Sequence, residues 1–107
     1  MKSLKLIPLL LTSSFLFACA SNVVDVRPGS EKVSVVEKSQ VANCVDKGKV
    51  TVNVTTKVGL YTRDVGTVEG NLTQLAKNSA AAEGADTVVS GESKVFGERV
   101  FGIYQCR

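Results

Sequence analysis

An apolar run that stops at a cysteine divides this chain before any other feature does. Residues 6–18 are almost wholly apolar, with Leu9, Leu10, Leu11, Phe15, Leu16 and Phe17 among them, and Lys2 and Lys5 precede them without an acidic residue. As a helix the run measures about 20 Å at 1.5 Å per residue, short of the roughly 30 Å of a hydrocarbon core, so it reads as the h-region of a secretory signal and not as a membrane span. Residues 1–18 therefore drop out of any folded domain, and what remains is expected outside the cytoplasm.

Where the signal is cut depends on Cys19. Leu16-Phe17-Ala18-Cys19 has the layout of a lipobox: Leu three positions before the cysteine, a small residue directly before it, and a thiol placed to take a diacylglycerol before cleavage. Ala18-Cys19-Ala20 also satisfies the small-x-small rule of ordinary signal peptidase, and cutting after Ala20 would release a soluble periplasmic protein. Phe17 is bulkier than lipobox sequences usually carry. A cysteine closing a short h-region nevertheless has its clearest use as a lipidation site, and Cys19 is the expected one. Two or three acyl chains, at about 0.8 kcal/mol per buried CH₂, then hold the protein at a membrane. Ala at position 20 instead of Asp points, by enterobacterial-type sorting, to the outer membrane, and the periplasmic side is expected.

Cleavage before Cys19 leaves 89 residues with eleven basic and ten acidic side chains. That near balance supplies no clustered basic face for nucleic acid. The whole chain is 44% hydrophobic and 21% charged, which suits a compact fold over disorder. It contains no His, so the commonest metal ligand and the usual general base are missing, and no metal, cofactor or catalytic role is expected. With Cys19 assigned to lipid, Cys44 and Cys106 are an even pair in a small exported domain and read as a disulfide. Closing a loop of that length contributes about 4 kcal/mol in the chain-entropy model. The competing reading, a redox or nucleophilic thiol, lacks a CxxC spacing, although Lys47 and Lys49 lie near Cys44.

The rest divides into a lipidated N-terminus and short tether over residues 19–30 and a small α+β domain over residues 31–107. Val24 and Val26 are candidates for a short first strand within the tether. Residues 32–37 have strand composition. Residues 49–56 alternate, with Val50, Val52 and Val54 on one face and Thr51, Asn53 and Thr55 on the other, as in a half-buried antiparallel strand. Residues 57–70, with glycines at 59, 66 and 70, read as irregular. A helix is expected over residues 72–83 from the stripe Leu72, Leu75, Ala76 and Ala80, capped by Asn71 with Gln74 and ended by Gly84. Strands follow from Asp86 and over residues 99–105, with Phe101 and Ile103 on one face and Val100, Tyr104 and Cys106 on the other. The order β-β-α-β-β predicts one helix packed on a small, mainly antiparallel four-stranded sheet. Such a sheet leaves a face open, to which Tyr104 contributes. A second candidate surface is the glycine-flanked loop carrying Tyr61, Arg63 and Asp64, whose aromatic and charged pair suit recognition of an envelope protein partner.

Pro28-Gly29-Ser30-Glu31-Lys32-Val33, Cys44-x-x-x-Gly48-x-Val50, the Ala-Lys-Asn-x-Ala-Ala-x-x-Gly-Ala-Asp run over residues 75–86 in which Leu75 precedes Ala76, and Gly102-x-Tyr104-x-Cys106 resemble a family of small proteobacterial lipoproteins filed as a domain of unknown function. The resemblance implies lipid at Cys19, a bridge between Cys44 and Cys106, and no assigned activity. More distantly the layout is similar to the RcsF-like domains, outer-membrane lipoproteins that signal envelope stress. Those carry four mature cysteines and a long proline-rich basic linker, and this chain has two and none, so a stress-sensing role does not follow. A noncatalytic, lipid-anchored outer-membrane protein that binds or scaffolds is the expectation. A redox or stress-sensing protein using Cys44 and Cys106, and a soluble periplasmic protein, are its alternatives.

Overall fold

The computed structural model describes residues 24–107, so Cys19 and the expected signal over residues 1–18 lie outside the described residues. Strands β1 (Ser34–Val36), β2 (Val45–Asn53), β5 (Thr87–Ser90) and β6 (Glu98–Gln105) form one sheet in the order β1-β5-β6-β2, while β3 (Lys57–Val58) and β4 (Tyr61–Thr62) form a separate hairpin. β6 pairs antiparallel with both β5 and β2, and β1 joins β5 in parallel. The helix α1 (Val65–Ala82) packs on one face. This is the expected α+β architecture: a mainly antiparallel four-stranded sheet with one helix on it.

Alternation places the core. Phe101 and Ile103 of β6, Val88 of β5 and Val52 of β2 face the helix and are buried there with Val33. The helix answers with Val68, Leu72, Ala76 and Ala80, one residue every four positions, none of them exposed at all. The alanines bring helix and sheet close, and the contact is filled mainly by the larger side chains of the sheet.

The helix begins seven residues before the expected start, and Asp64, not Asn71, is its N-cap. The Asp64 Oδ2 accepts the Thr67 N–H at 3.0 Å, whereas Asn71 sits inside the helix. Gly66 and Gly70 made this stretch read as irregular. Each costs a helix about 1 kcal/mol relative to Ala, but full burial of Val68 extends the apolar stripe by a turn and outweighs that cost. The other end matches its expectation. The Gly84 N–H donates to the Ala81 carbonyl and the Ala85 N–H to that of Ala80, with Gly84 in the left-handed region at φ 75°, a Schellman arrangement closed by the buried pair Ala80 and Ala85.

Further departures are local. Val24 and Val26 form no strand. Ser30–Lys32 is a 3₁₀ turn that shortens the first strand to three residues. β2 starts at Val45 and stops at Asn53, with a bulge between Asp46 and Gly48 where the Asp46 carboxylate accepts the Gly48 N–H at 2.8 Å. The span expected to be irregular contains a two-residue β-turn at Gly59-Leu60, with Val58 opposite Tyr61.

Candidate functional site

The three residues of the candidate recognition loop end up in three different situations. Tyr61 is exposed on β4. Arg63 is buried; its Nη1 donates to the Thr55 carbonyl at 2.7 Å and its N–H to that of Thr56 at 2.7 Å, which straps the hairpin to the end of β2. Asp64 is the helix cap. The charged pair is thus occupied in building the hairpin and the helix start; Asp64 caps the helix from an exposed position, and Tyr61 is the exposed residue of the three without such a task among the bonds described.

Cys44 and Cys106 are bonded, with Cα atoms 4.5 Å apart. Val45 pairs with Gln105 at the start of β2, so the bridge is the next rung beyond the ladder and ties the edge strand to the C-terminus. Beside it lies a carboxylate that the sequence reading passed over. Asp86 accepts the Cys106 N–H at 2.8 Å, the Thr87 hydroxyl at 2.8 Å and the Arg107 N–H at 3.0 Å. The Cys106 N–H, ahead of the Thr87 hydroxyl and the Arg107 N–H, holds its carboxyl below the usual 3.8 against the opposing effect of burial. Arg107 in turn donates to the Lys32 carbonyl at 2.9 Å.

Asn78 was also missed. It is buried on the helix; its Oδ1 accepts the Arg27 N–H at 3.1 Å and the Gln74 amide at 2.9 Å, and its Nδ2 donates to the Asp25 carbonyl at 2.7 Å. Gln74 also reaches the buried Ser30 hydroxyl at 3.1 Å. The N-terminal segment is therefore pinned to the helix through side-chain amides in place of a strand ladder. A Gln and an Asn four residues apart beside an alanine stripe were the available signal, since such a pair shares one helix face.

The face of the sheet away from the helix is uncovered. Register sets Val36, Val89, Gly102 and Lys49 in one row across the four strands, with Val100 and Thr51 in the next. The Tyr104 ring lies over Gly102, so close that a Cβ there would meet its Cε1 at 2.9 Å. These residues line a shallow concavity of about 720 Å³ whose rim includes Glu37, Lys38 and Glu92. Its floor mixes Val36, Val89 and Val100 with Lys49 and Thr51, beside an aromatic with a hydroxyl and charges of both signs at the edge. Among the described residues no cluster of three or more His, Cys, Asp or Glu is arranged to hold a metal ion, and no helix is long and apolar enough to cross a membrane.

One helix on a four-stranded sheet, bonded by a disulfide at one end and open on its second face, defines a small α+β domain. The chain belongs to the family described as Domain of unknown function (DUF4156), which matches it over residues 24–106. No curated protein matches it, and no solved structure does.

Proposed function

We propose that this is a noncatalytic lipoprotein, anchored through acylated Cys19 to the periplasmic side of the outer membrane, that acts by binding or scaffolding an envelope protein partner. The observation that supports it best is the division of labour between the polar side chains and the open face. Asp64, Arg63, Asn78 and Asp86 are each engaged in holding the fold, while Val36, Val89, Val100 and Tyr104, each half-buried, line a face of the sheet that no helix covers. The lipobox reading adds the membrane: six residues from Cys19 to Asp25 span at most about 21 Å, which keeps the domain at the lipid surface.

Two measurements test this. Intact mass of the protein purified from membranes is expected to show a chain beginning at Cys19 with its acyl chains, and a Cys19→Ala chain is expected to leave the membrane fraction. A photo-crosslinking residue at Val100, on the open face, is expected to give a defined protein adduct that the same residue at Lys77, on the helix, does not. An unmodified N-terminus overturns the anchoring, and no adduct specific to Val100 overturns the binding role. The exposed Cys106 favours one second reading, thiol chemistry at the Cys44–Cys106 bond; alkylation of both thiols in cells without prior reduction would establish it.

A further inference from the structure

Of the nine large apolar side chains left exposed among the described residues, six stand at one end of the molecule: Val58, Leu60, Tyr61, Val65, Val95 and Phe96. Three elements meet there. The Val54 N–H donates to the Gly97 carbonyl at 2.9 Å, so the loop between β5 and β6 lies against the chain leaving β2. Arg63 straps the β3–β4 hairpin to that same segment, and Asp64 starts the helix beside it. Leu60, at the turn of the hairpin, is fully exposed. An apolar patch concentrated on loop tips marks a surface that meets something other than water.

Its occupant follows from where the chain enters the fold. Val24 and Asp25 line one cavity with Thr55 and Arg63 at the hairpin base and with Asn71, Leu75 and Asn78 along the helix, so the N-terminal segment enters beside the middle of the helix with its Val24 end toward the hairpin, and Cys19 stands only five residues before Val24. Those five residues reach at most about 18 Å. The edge of the patch carries Lys57 and Lys94, both exposed and neither in an ion pair among the described residues, which suits the phosphates of anionic headgroups. Tyr beside Leu is the pairing favoured at a membrane interface, ring and aliphatic carbons inward and hydroxyl outward. We infer that the hairpin end of the domain seats on the phospholipid surface that holds the acyl anchor, with Leu60 and Tyr61 entering the boundary between headgroups and acyl chains. The inference rests on the lipid-anchored reading above. It leaves the opposite, disulfide end pointing into the periplasm and the open sheet face upright beside the membrane.

The chain has no Trp, so a single introduced indole reports its own depth. Leu60→Trp and, as control, Val45→Trp are made in separate full-length chains. Val45 is likewise exposed but lies at the other end of β2, about 26 Å from Asn53 at 3.3 Å per residue. Each protein, matured in cells and purified from membranes, is reconstituted into vesicles of phosphatidylethanolamine and phosphatidylglycerol with and without brominated acyl chains. Bromine is expected to quench position 60 and to leave position 45 unchanged. With the indole moved to position 61, Tyr61→Trp is expected to be quenched, and adding Leu60→Asp is expected to abolish that quenching. Indifference of position 60 to bromine, or equal quenching at both ends, overturns the inference. The mass of the same preparations separates the two proposals: an unacylated chain overturns the anchor, whereas an acylated chain whose position-60 indole stays in water overturns only the seating of the hairpin.

Discussion

Asp86 does with one carboxylate what the disulfide does with a covalent bond: it holds the C-terminal end of β6 in place, through the N–H groups of Cys106 and Arg107. Because its folded carboxyl titrates below 3.8, the folded protein binds fewer protons than the unfolded chain around that pH. The stability it contributes is complete above 3.8 and is lost as pH falls through the lower, folded value. Urea unfolding of Asp86→Asn is expected to show lower stability than wild type at pH 7, with the difference shrinking as the pH falls below 4. Asn78 is the second residue with more than one task, since a single amide satisfies backbone groups of Asp25 and Arg27. Asn78→Ala leaves those groups without their partner and is expected to cost about 1–3 kcal/mol. Amide exchange should show the loss first at Arg27, before any effect at the sheet.

Among the elements, the helix shows how packing moves a boundary. Propensity favours a start near Asn71, yet Val68 is as fully buried as Leu72, and Asp64 caps the additional turns. Asp64→Ala is expected to destabilise the protein by about 1 kcal/mol in chemical denaturation, with Asp64→Ser restoring most of it. The loop between β5 and β6 depends on a close approach: Gly97 has φ 90°, and a Cβ there would run into the Thr56 side chain and come within 3.0 Å of the Val54 carbonyl. Gly97→Ala is therefore expected to lower the midpoint of thermal unfolding and to loosen the hairpin end, read as faster amide exchange at Val54. Both elements belong to the end of the molecule where the exposed apolar side chains collect.

At the scale of the whole molecule the Cys44–Cys106 bond closes most of the folded chain into a loop, the two residues being 62 apart in sequence. Its reduction is expected to cost about 4 kcal/mol, a large share of the 5–15 kcal/mol typical of a domain, and the Cys44→Ala, Cys106→Ala double variant should show the same shift in denaturation midpoint as reduced wild type. The architecture was legible because its signals are local and periodic: alternation in Val50, Val52 and Val54 sets a strand face, the stripe of Leu72, Ala76 and Ala80 sets a helix face, and Gly84 ends that helix. The glycine-flanked loop of Tyr61, Arg63 and Asp64 was legible only in part, since a charged residue on such a segment looks alike whether it meets a partner or, as Arg63 does, turns inward to a carbonyl. Residue order by itself determined the four strands of the main sheet and the helix, their sequence along the chain, their inward faces and the pairing of Cys44 with Cys106, all of which depend on spacing within a dozen residues or on counting. Only the tertiary structure decided the parallel seat of β1 beside β5, the early start of the helix, the anchoring by Asn78 and Asp86, and the gathering of Leu60, Tyr61 and Phe96 at one end. Each of these depends on groups far apart in sequence competing for the same buried space or the same hydrogen-bond donor, and no local pattern encodes which of them wins.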